Sequence, residues 1–441
     1  MPIPEPGRDR SPTVGASTAL LALVLTLSAC GANSEPAQLN GSFLETIDGI
    51  RVVHLYGSPA QRGYAQGYLL ADEIIELTQT YLFDYALSQM TDLSYAQVRE
   101  LLEVNGSWPP DVRIELESML SGIQDRLDPE DRMVTVPGEG YREIELIDLM
   151  AGNTQGNWTR IGGCSGFAAW GTATGGPTLH ARNMDYASGN GAILGHLLVE
   201  AIAPDQGPDW ITIGNIGTVG CGSCMNEYGL TMEANNGGDG LAPSYTTGVS
   251  ATAFVAREAM QSHGAEADAL QAVLDTYRKR RLYVSQNALF ATPHRVDKPD
   301  DQVAAVLEID GNQFDLGATW RAPSETQYSG LGRTDVLIET NHFLKRTTPP
   351  DSGDSWERYQ EINRRIAVAT DASQPDNPTG DGEIDAQDAR WIMQGPQRSS
   401  TLIYFLFEPN SMRIQVAFQT QEGVSALENQ PTDLTWEQLF P

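Results

Sequence analysis

Apolar and polar positions fall into blocks of different period along the chain. "IRVVHLY" (50–56) alternates, as a half-buried strand does. In "GSPAQRGYAQGYLLADEIIELTQTYLFDYALSQ" apolar residues then recur every three or four, which predicts helix to about residue 91. Further helix is expected over about 94–127 ("SYAQVRELLEVN", "DVRIELESMLSGIQDRL"), and a shorter piece in "YREIELIDLMAGN" (141–153). Up to Gly163 the pattern is therefore mostly helical.

From Cys164 the period drops to two. "CSGFAAWGTA", "PTLHARNMDY", "DWITIGNIGTV" and "GLTMEANN" read as strands separated by glycine-rich breaks. Helices are expected in "SATAFVAREAMQS" and "AEADALQAVLDTYRKR", then strands in "VAAVLEI" and "NQFDLGAT". "WERYQEINRRIAVA" and "DAQDARWIM" are helical, and "STLIYFLFEP" and "MRIQVAF" are strands. Helices and strands are grouped rather than strictly alternating, so the class is α+β and not a doubly wound parallel sheet. No internal repeat is evident. The loops "RTTPPDSGDS" and "DASQPDNPTGDG" are the most exposed-looking breaks of the second part.

Length and charge narrow the picture. The 441 residues suffice for one large domain or two ordinary ones. With 58 acidic against 28 basic residues, the formal net charge of −30 argues against nucleic acid as a partner. An acidic, solvated surface is the reading adopted.

The first thirty residues read as an export leader: "RDR", the apolar run "ALLALVLTLSA", then Cys30. The run is too short to span a bilayer as a mature helix. Leu27-Ser28-Ala29-Cys30 resembles the lipobox of bacterial lipoproteins, which implies lipidation at Cys30. The organisation expected is a signal peptide (1–29), a lipid-anchored tether (30–43), a helical prosegment (44–163) and a catalytic segment (164–441). The protein would then sit on a membrane, at its periplasmic or cell-surface face. Of four cysteines, Cys164, Cys221 and Cys224 remain, an odd number in a disulfide-permissive compartment.

Cys164 follows Gly162-Gly163 and opens a strand. A cysteine nucleophile needs a base, and none of the six histidines (54, 180, 196, 263, 294, 342) lies in a familiar cysteine–histidine protease pattern. A cut before Cys164 would supply its own α-amino group, whose ordinary pKa of about 7.7–8.0 suits proton transfer near neutrality. "CSGFAAWGTATGGPTLHARNMDY" reads as a hairpin turning at Thr174-Gly175-Gly176, which returns Arg182 and Asp185 towards Cys164. Three apart on a regular strand, these two would face opposite sides, so a bulge or an indirect role for one of them is expected.

The Gly–Cys junction, "GF…G", "ARNMDY", "RGYAQG", "MNEYGLTMEANN" and "ETNHF" together resemble N-terminal-nucleophile hydrolases of the penicillin acyltransferase type. Bile salt hydrolases, penicillin V acylases and acid ceramidase-like amidases are more distant relatives of that type. The resemblance implies a four-layer αββα sandwich. It implies autocleavage between Gly163 and Cys164 with the two pieces staying associated, and Cys164 as nucleophile. Arg182 and Asp185 would support it, and Asn235 or Asn236 with Asn341 would form an oxyanion hole. The expected substrate is a small acyl amide, hydrolysed without cofactor. Acyl transfer from a thioester and a catalytically idle ligand-binding lipoprotein are the alternatives.

Three further features are read as structural. Cys221-Gly-Ser-Cys224 has redox spacing but lies between strand patterns, so a disulfide or two thiols is expected. Asn377–Asp388 mimics a calcium loop with weak donors at its first positions, and no metal is assigned to it. His342, beside Asn341, reads as packing or support.

Overall fold

The computed structural model describes residues 36–159, 162–237, 248–298, 301–309, 311 and 318–441. The leader, Cys30 and most of the expected strand 312–319 lie outside the described residues. The alternating "IRVVHLY" forms β2 (Ile50–Gly57), antiparallel to β1 (Phe43–Ile47). The helical period that follows gives α1 (Pro59–Leu69), capped by Ser58 and Gln61 in a capping box, and a further helical run to Gln89. A second long helix, α2 (Pro110–Arg126), crosses α1 closely.

Glycines make that crossing possible. A Cβ on Gly63 or Gly67 would lie 2.0 Å from the carbonyl oxygens of Glu115 and Met119, and one on Gly122 would lie 2.2 Å from Tyr64 O. The "RGYAQG" motif is thus a backbone-to-backbone contact surface.

The strands after the junction are β3 (Ser165–Gly171), β4 (Gly176–Asp185), β5 (Leu197–Pro204), β6 (Trp210–Asn215), β7 (Ser223–Asn226) and β8 (Thr231–Asn236). Helices α3 (Thr252–Ser262) and α4 (Ala269–Tyr277) precede β9 (Gln286–Ala291), β10 (Ala304–Ile309), β11 (Ala318–Arg321) and β12 (Val336–Glu339). The chain closes with α5 (Asp354–Ala369), α6 (Ala386–Gln394), β13 (Thr401–Glu408), β14 (Arg413–Phe418) and β15 (Thr432–Thr435).

These strands form a nine-stranded sheet, β1-β2-β5-β6-β7-β8-β9-β10-β11, and a six-stranded sheet, β12-β3-β4-β13-β14-β15. Strand parity stacks them. In β3, Phe167 and Ala169 pack on Tyr359, Ile362 and Ile366 of α5, whereas Ala168 and Trp170 pack on Leu289, Ala291 and Val306 of the other sheet. In β13, Tyr404 and Leu406 share the α5 and α6 side, and Phe405 and Phe407 the opposite one. Helices α1, α3 and α4 cover the far face of the nine-stranded sheet, and α2 packs on α1. The order is helices, sheet, sheet, helices: the αββα sandwich that the resemblance implies.

One expectation needs correction. Helix does not fill 141–153: Gly140–Glu143 is a strand paired with Met133–Val136, and the helix runs Leu146–Asn153. A capping box of Glu145 with Asp148 sets its start. The strand expected in the mostly helical segment before Cys164, β2, joins the nine-stranded sheet in parallel with β5, from Val52↔Val199 to Gly57↔Pro204. Residues on both sides of Gly163 therefore share one sheet. Among the described residues, no helix is long and apolar enough to cross a membrane.

Candidate active site

Cys164 is the only free cysteine among the described residues, and it is buried just before β3. Its backbone N–H donates to Asn341 Oδ1 at 2.8 Å, and its carbonyl accepts from Arg358 Nη1. Arg358 Nη2 also donates to Asn341 Oδ1 at 2.7 Å, so amide and guanidinium are locked together around the Cys164 backbone. The thiol lies 3.9 Å from Asp185 O.

The two glycines before Cys164 have a steric reason. A Cβ on Gly162 would sit 2.5 Å from Asp185 O, and one on Gly163 would sit 2.6 Å from Arg358 Nη2. A larger residue at 162 would meet backbone and push the chain off this seat, whereas one at 163 would meet only the movable end of Arg358.

Arg182 and Asp185 leave opposite faces of β4. Arg182 points between the sheets, where Nη1 donates to Gly222 O at 2.8 Å and to Ser223 Oγ, and Nη2 donates to Ala234 O. Asp185 shares the parity of Asn183, whose Nδ2 donates to Met393 O of α6. Asp185 Oδ1 accepts from Thr401 Oγ1 at 2.6 Å, and Oδ2 has no hydrogen-bond partner. The register irregularity here lies in β13, between Thr401 and Ile403, so β4 is regular from Leu179 to Asp185. Cys164 therefore has Arg182 on the inter-sheet side and Asp185 with Arg358 on the helix side.

Parity also separates the two asparagines. Thr231 and Glu233 of β8 face the six-stranded sheet: Thr231 Oγ1 is 2.8 Å from His180 Nδ1, and a Cβ on Gly166 would lie 2.0 Å from Glu233 Oε1. Asn235 continues that face, is 1 % exposed, and neither of its amide atoms has a hydrogen-bond partner. Asn236 points the other way and contributes its carbonyl, which accepts from Asn341 Nδ2 at 2.9 Å. Asn235 thus presents an unused amide to the inter-sheet space, whereas Asn341 is already engaged on both of its polar atoms.

Charge around the thiol is mixed. Burial pushes the Cys164 thiol up, Arg182 pulls it down, Asp185 pushes it up, and the Asp185 carbonyl contact and Arg358 pull it down. Burial raises Asp185 to about 6, against the pull of Thr401, Arg358, Arg398 and Arg182. His342 is lowered to about 4 by burial and by Arg321 and Arg358, so it is neutral at pH 7. Its Nδ1 lies 2.8 Å from Ser355 Oγ, which accepts from Asn341 N at 2.8 Å. His342 is thus part of the support of Asn341.

Three residues of the site escape the sequence reading. Arg358 sits inside an ordinary helical period, and nothing local marks it. Asn287, which pairs with Asn235 across β8 and β9, donates from Nδ2 to Thr340 O and His342 O, both at 2.9 Å, and so grips the loop on either side of Asn341. Glu233 is fully buried, 3.6 Å from Arg182 Nε and 3.9 Å from His180 Nε2. The one available signal was the alternation of Thr231, Glu233 and Asn235 in "TMEANN".

Cys221 and Cys224 form a disulfide, buried at the start of β7. In the Asn377–Asp388 loop, Thr379 Oγ1 donates to Asp388 Oδ2 at 2.9 Å, and Asp385 with Asp388 caps α6. Among the described residues, no group of three or more His, Cys, Asp or Glu side chains is arranged to hold a metal.

No family model and no curated protein matches the chain. Among solved structures it is similar to a Caenorhabditis elegans ortholog of N-acylethanolamine-hydrolyzing acid amidase (12% identity, 56% of this chain and 93% of that one, TM-score 0.40). It is also similar to a variant of conjugated bile acid hydrolase from Clostridium perfringens (12% identity, 62% and 93%, TM-score 0.41). A third is penicillin V acylase from Agrobacterium tumefaciens (12% identity, 63% and 88%, TM-score 0.39).

Proposed function

We propose that this chain is a self-processing N-terminal-cysteine amidohydrolase that cleaves a non-peptide acyl amide. The observation that carries the reading is the Cys164 backbone nitrogen. It is held by Asn341 Oδ1 at 2.8 Å, beside a buried thiol flanked by Arg182, Asp185 and Arg358, and behind two glycines, the first of which packs directly on the Asp185 backbone.

In processing, Cys164 Sγ attacks the Gly163 carbonyl carbon, and the peptide bond shifts from nitrogen to sulfur. Water then hydrolyses the thioester, leaving a Gly163 carboxylate and a free Cys164 amine and thiol. In turnover the α-amine takes the thiol proton, Sγ attacks the acyl carbonyl, and the proton passes to the leaving amine. Asn235 donates to the developing oxyanion, a role its unpartnered amide suits. Arg182 favours the thiolate. Asn341 holds the nitrogen of Cys164 and Arg358 its carbonyl, with Asn287 and His342 fixing Asn341. Water finally releases the acid from the acyl-enzyme.

Acyl-CoA is scarce outside the cytoplasm, so in an exported, lipid-anchored protein hydrolysis is the reading we adopt over acyl transfer. The two pieces stay together because they share the β2–β5 ladder and a buried cluster. In that cluster, Arg62 and Arg257 lie 3.1 and 2.6 Å from Glu115 Oε2, and Gln66 donates to Glu200 at 2.7 Å.

The test is a panel of N-acyl amides of graded chain length, quenched in acid and read by mass spectrometry. An acyl adduct on the fragment beginning at Cys164, lost in Cys164→Ala, supports the reading. Turnover of the panel by Cys164→Ala at the parent rate would end it.

A further inference from the structure

The Arg182 guanidinium rests on a particular piece of chain. Two of its three hydrogen-bond acceptors, Gly222 O and Ser223 Oγ, belong to the two residues enclosed by the Cys221–Cys224 disulfide. The third, Ala234 O, belongs to the residue whose N–H donates back to Gly222 O at 3.1 Å. Cys221 N is tied to Ala253 O at 3.0 Å at the start of α3, and Cys224 pairs with Met232 and Thr212 of the neighbouring strands. The ring is therefore anchored on both sides, and it turns a carbonyl and a hydroxyl towards Arg182. A Cβ on Gly222 would meet nothing within 4 Å, so packing alone does not fix this turn.

We propose that the ring closed by Cys221 and Cys224 is a positioning element for the Cys164 reaction: it seats the Arg182 guanidinium, Ser223 supplies the positioning side chain, and the disulfide keeps the seat in register. The proposal rests on the reading of Cys164 as the nucleophile. Arg182 needs an oriented seat because it acts on the thiolate by charge, and small displacements inside a low-dielectric site change that interaction strongly. Ser223 suits the role because a hydroxyl accepts a guanidinium hydrogen without adding a competing charge. A loop held only by β7 pairing could turn Gly222 O away. The disulfide removes that freedom in the open chain as well as in the folded one.

The experiment is the pH dependence of Cys164 carbamidomethylation by iodoacetamide, measured by mass on the purified full-length protein. The variants are Ser223→Ala, Ser223→Thr, Cys221→Ser/Cys224→Ser and Arg182→Lys. The midpoint is expected to rise by about half a pH unit or more in Ser223→Ala and in the double serine variant. It should also rise in Arg182→Lys and stay at the parent value in Ser223→Thr, which keeps the hydroxyl. A purely structural disulfide would lower the melting temperature of the double variant without moving this midpoint. Parent-like midpoints in Ser223→Ala would overturn the proposal, as would an unmoved midpoint in Arg182→Lys. Ser223→Ala decides the matter if the double variant does not fold. The same spectra report whether the parent is cut before Cys164, so failure of the processing reading is seen separately from failure of the seat.

Discussion

Two buried polar clusters in this molecule are built from the same residue types and are finished differently. In the first, Glu115 lies within hydrogen-bond reach of Arg62 and Arg257, whose Nη1 atoms donate to Gly57 O and Val219 O. In the second, between the sheets, Arg182 is seated, but Glu233, Glu339 and Asn235 each leave both polar side-chain atoms without a hydrogen-bond partner. Burial drives Glu339 well above the usual carboxylate range, with Glu233 adding to the push. Unpaired polar atoms in a buried site cost stability, and proteins retain them mainly where a ligand or reaction uses them. The first cluster joins residues on both sides of the junction; the second keeps buried polar atoms without hydrogen-bond partners, and in the function proposed above Asn235 uses its amide there.

Breaking the first cluster should have the largest effect on stability. Glu115→Ala strands two buried guanidiniums and should cost about 3–5 kcal/mol, read as a lower urea midpoint. The processed pieces should also separate in size-exclusion chromatography. A midpoint equal to the parent's would show that the cluster does not hold the molecule together.

The second cluster should answer in the opposite way. Asn235→Ala removes a side chain with no hydrogen-bond partners, so the melting temperature should change little. Acylation of Cys164 should slow by about 10²–10³-fold, the usual effect of losing one oxyanion donor. Loss of stability with acylation intact would reverse the assignment.

Asp185 sharpens the contrast through pH. Its folded value of about 6 exceeds the ordinary 3.8, so the fold favours the protonated acid. That contribution is fully present below about pH 4 and is lost as pH rises through 6. Asp185→Asn stays neutral throughout. It should match the parent near pH 4 and exceed it at pH 8 by up to about 3 kcal/mol, the free energy of holding the carboxyl protonated across that interval. A stability difference independent of pH between 4 and 8 would contradict this environment for Asp185. Smaller still, Gly163→Ala meets only the movable end of Arg358, whereas Gly162→Ala meets the Asp185 backbone. The Gly162 change should therefore lower the melting temperature more, by differential scanning calorimetry.

How much of this was legible depended on whether the signal was local. The β3–β4 hairpin, with Arg182 and Asp185 on its return strand, followed from alternation and a glycine turn. The choice between Asn235 and Asn236 needed only the parity of β8, but parity has meaning once the face of Glu233 is known, and that face is set by the opposite sheet. Arg358 and Asn287 could not be found locally, since each reaches the site through tertiary packing from an unremarkable helix or strand. Strand β2 read correctly as a strand, yet its parallel partner β5 lies about 150 residues on, beyond any local pattern. The strand at Gly140–Glu143 was masked by apolar residues that belong to the helix after it.

The central claim is that Cys164 becomes an N-terminus, and the intact mass of the purified protein under denaturing conditions tests it most directly. Two fragments meeting at Gly163 and Cys164, replaced by a single chain in Cys164→Ala, are the expected result. One uncut chain in both samples would remove the α-amino base and contradict the account.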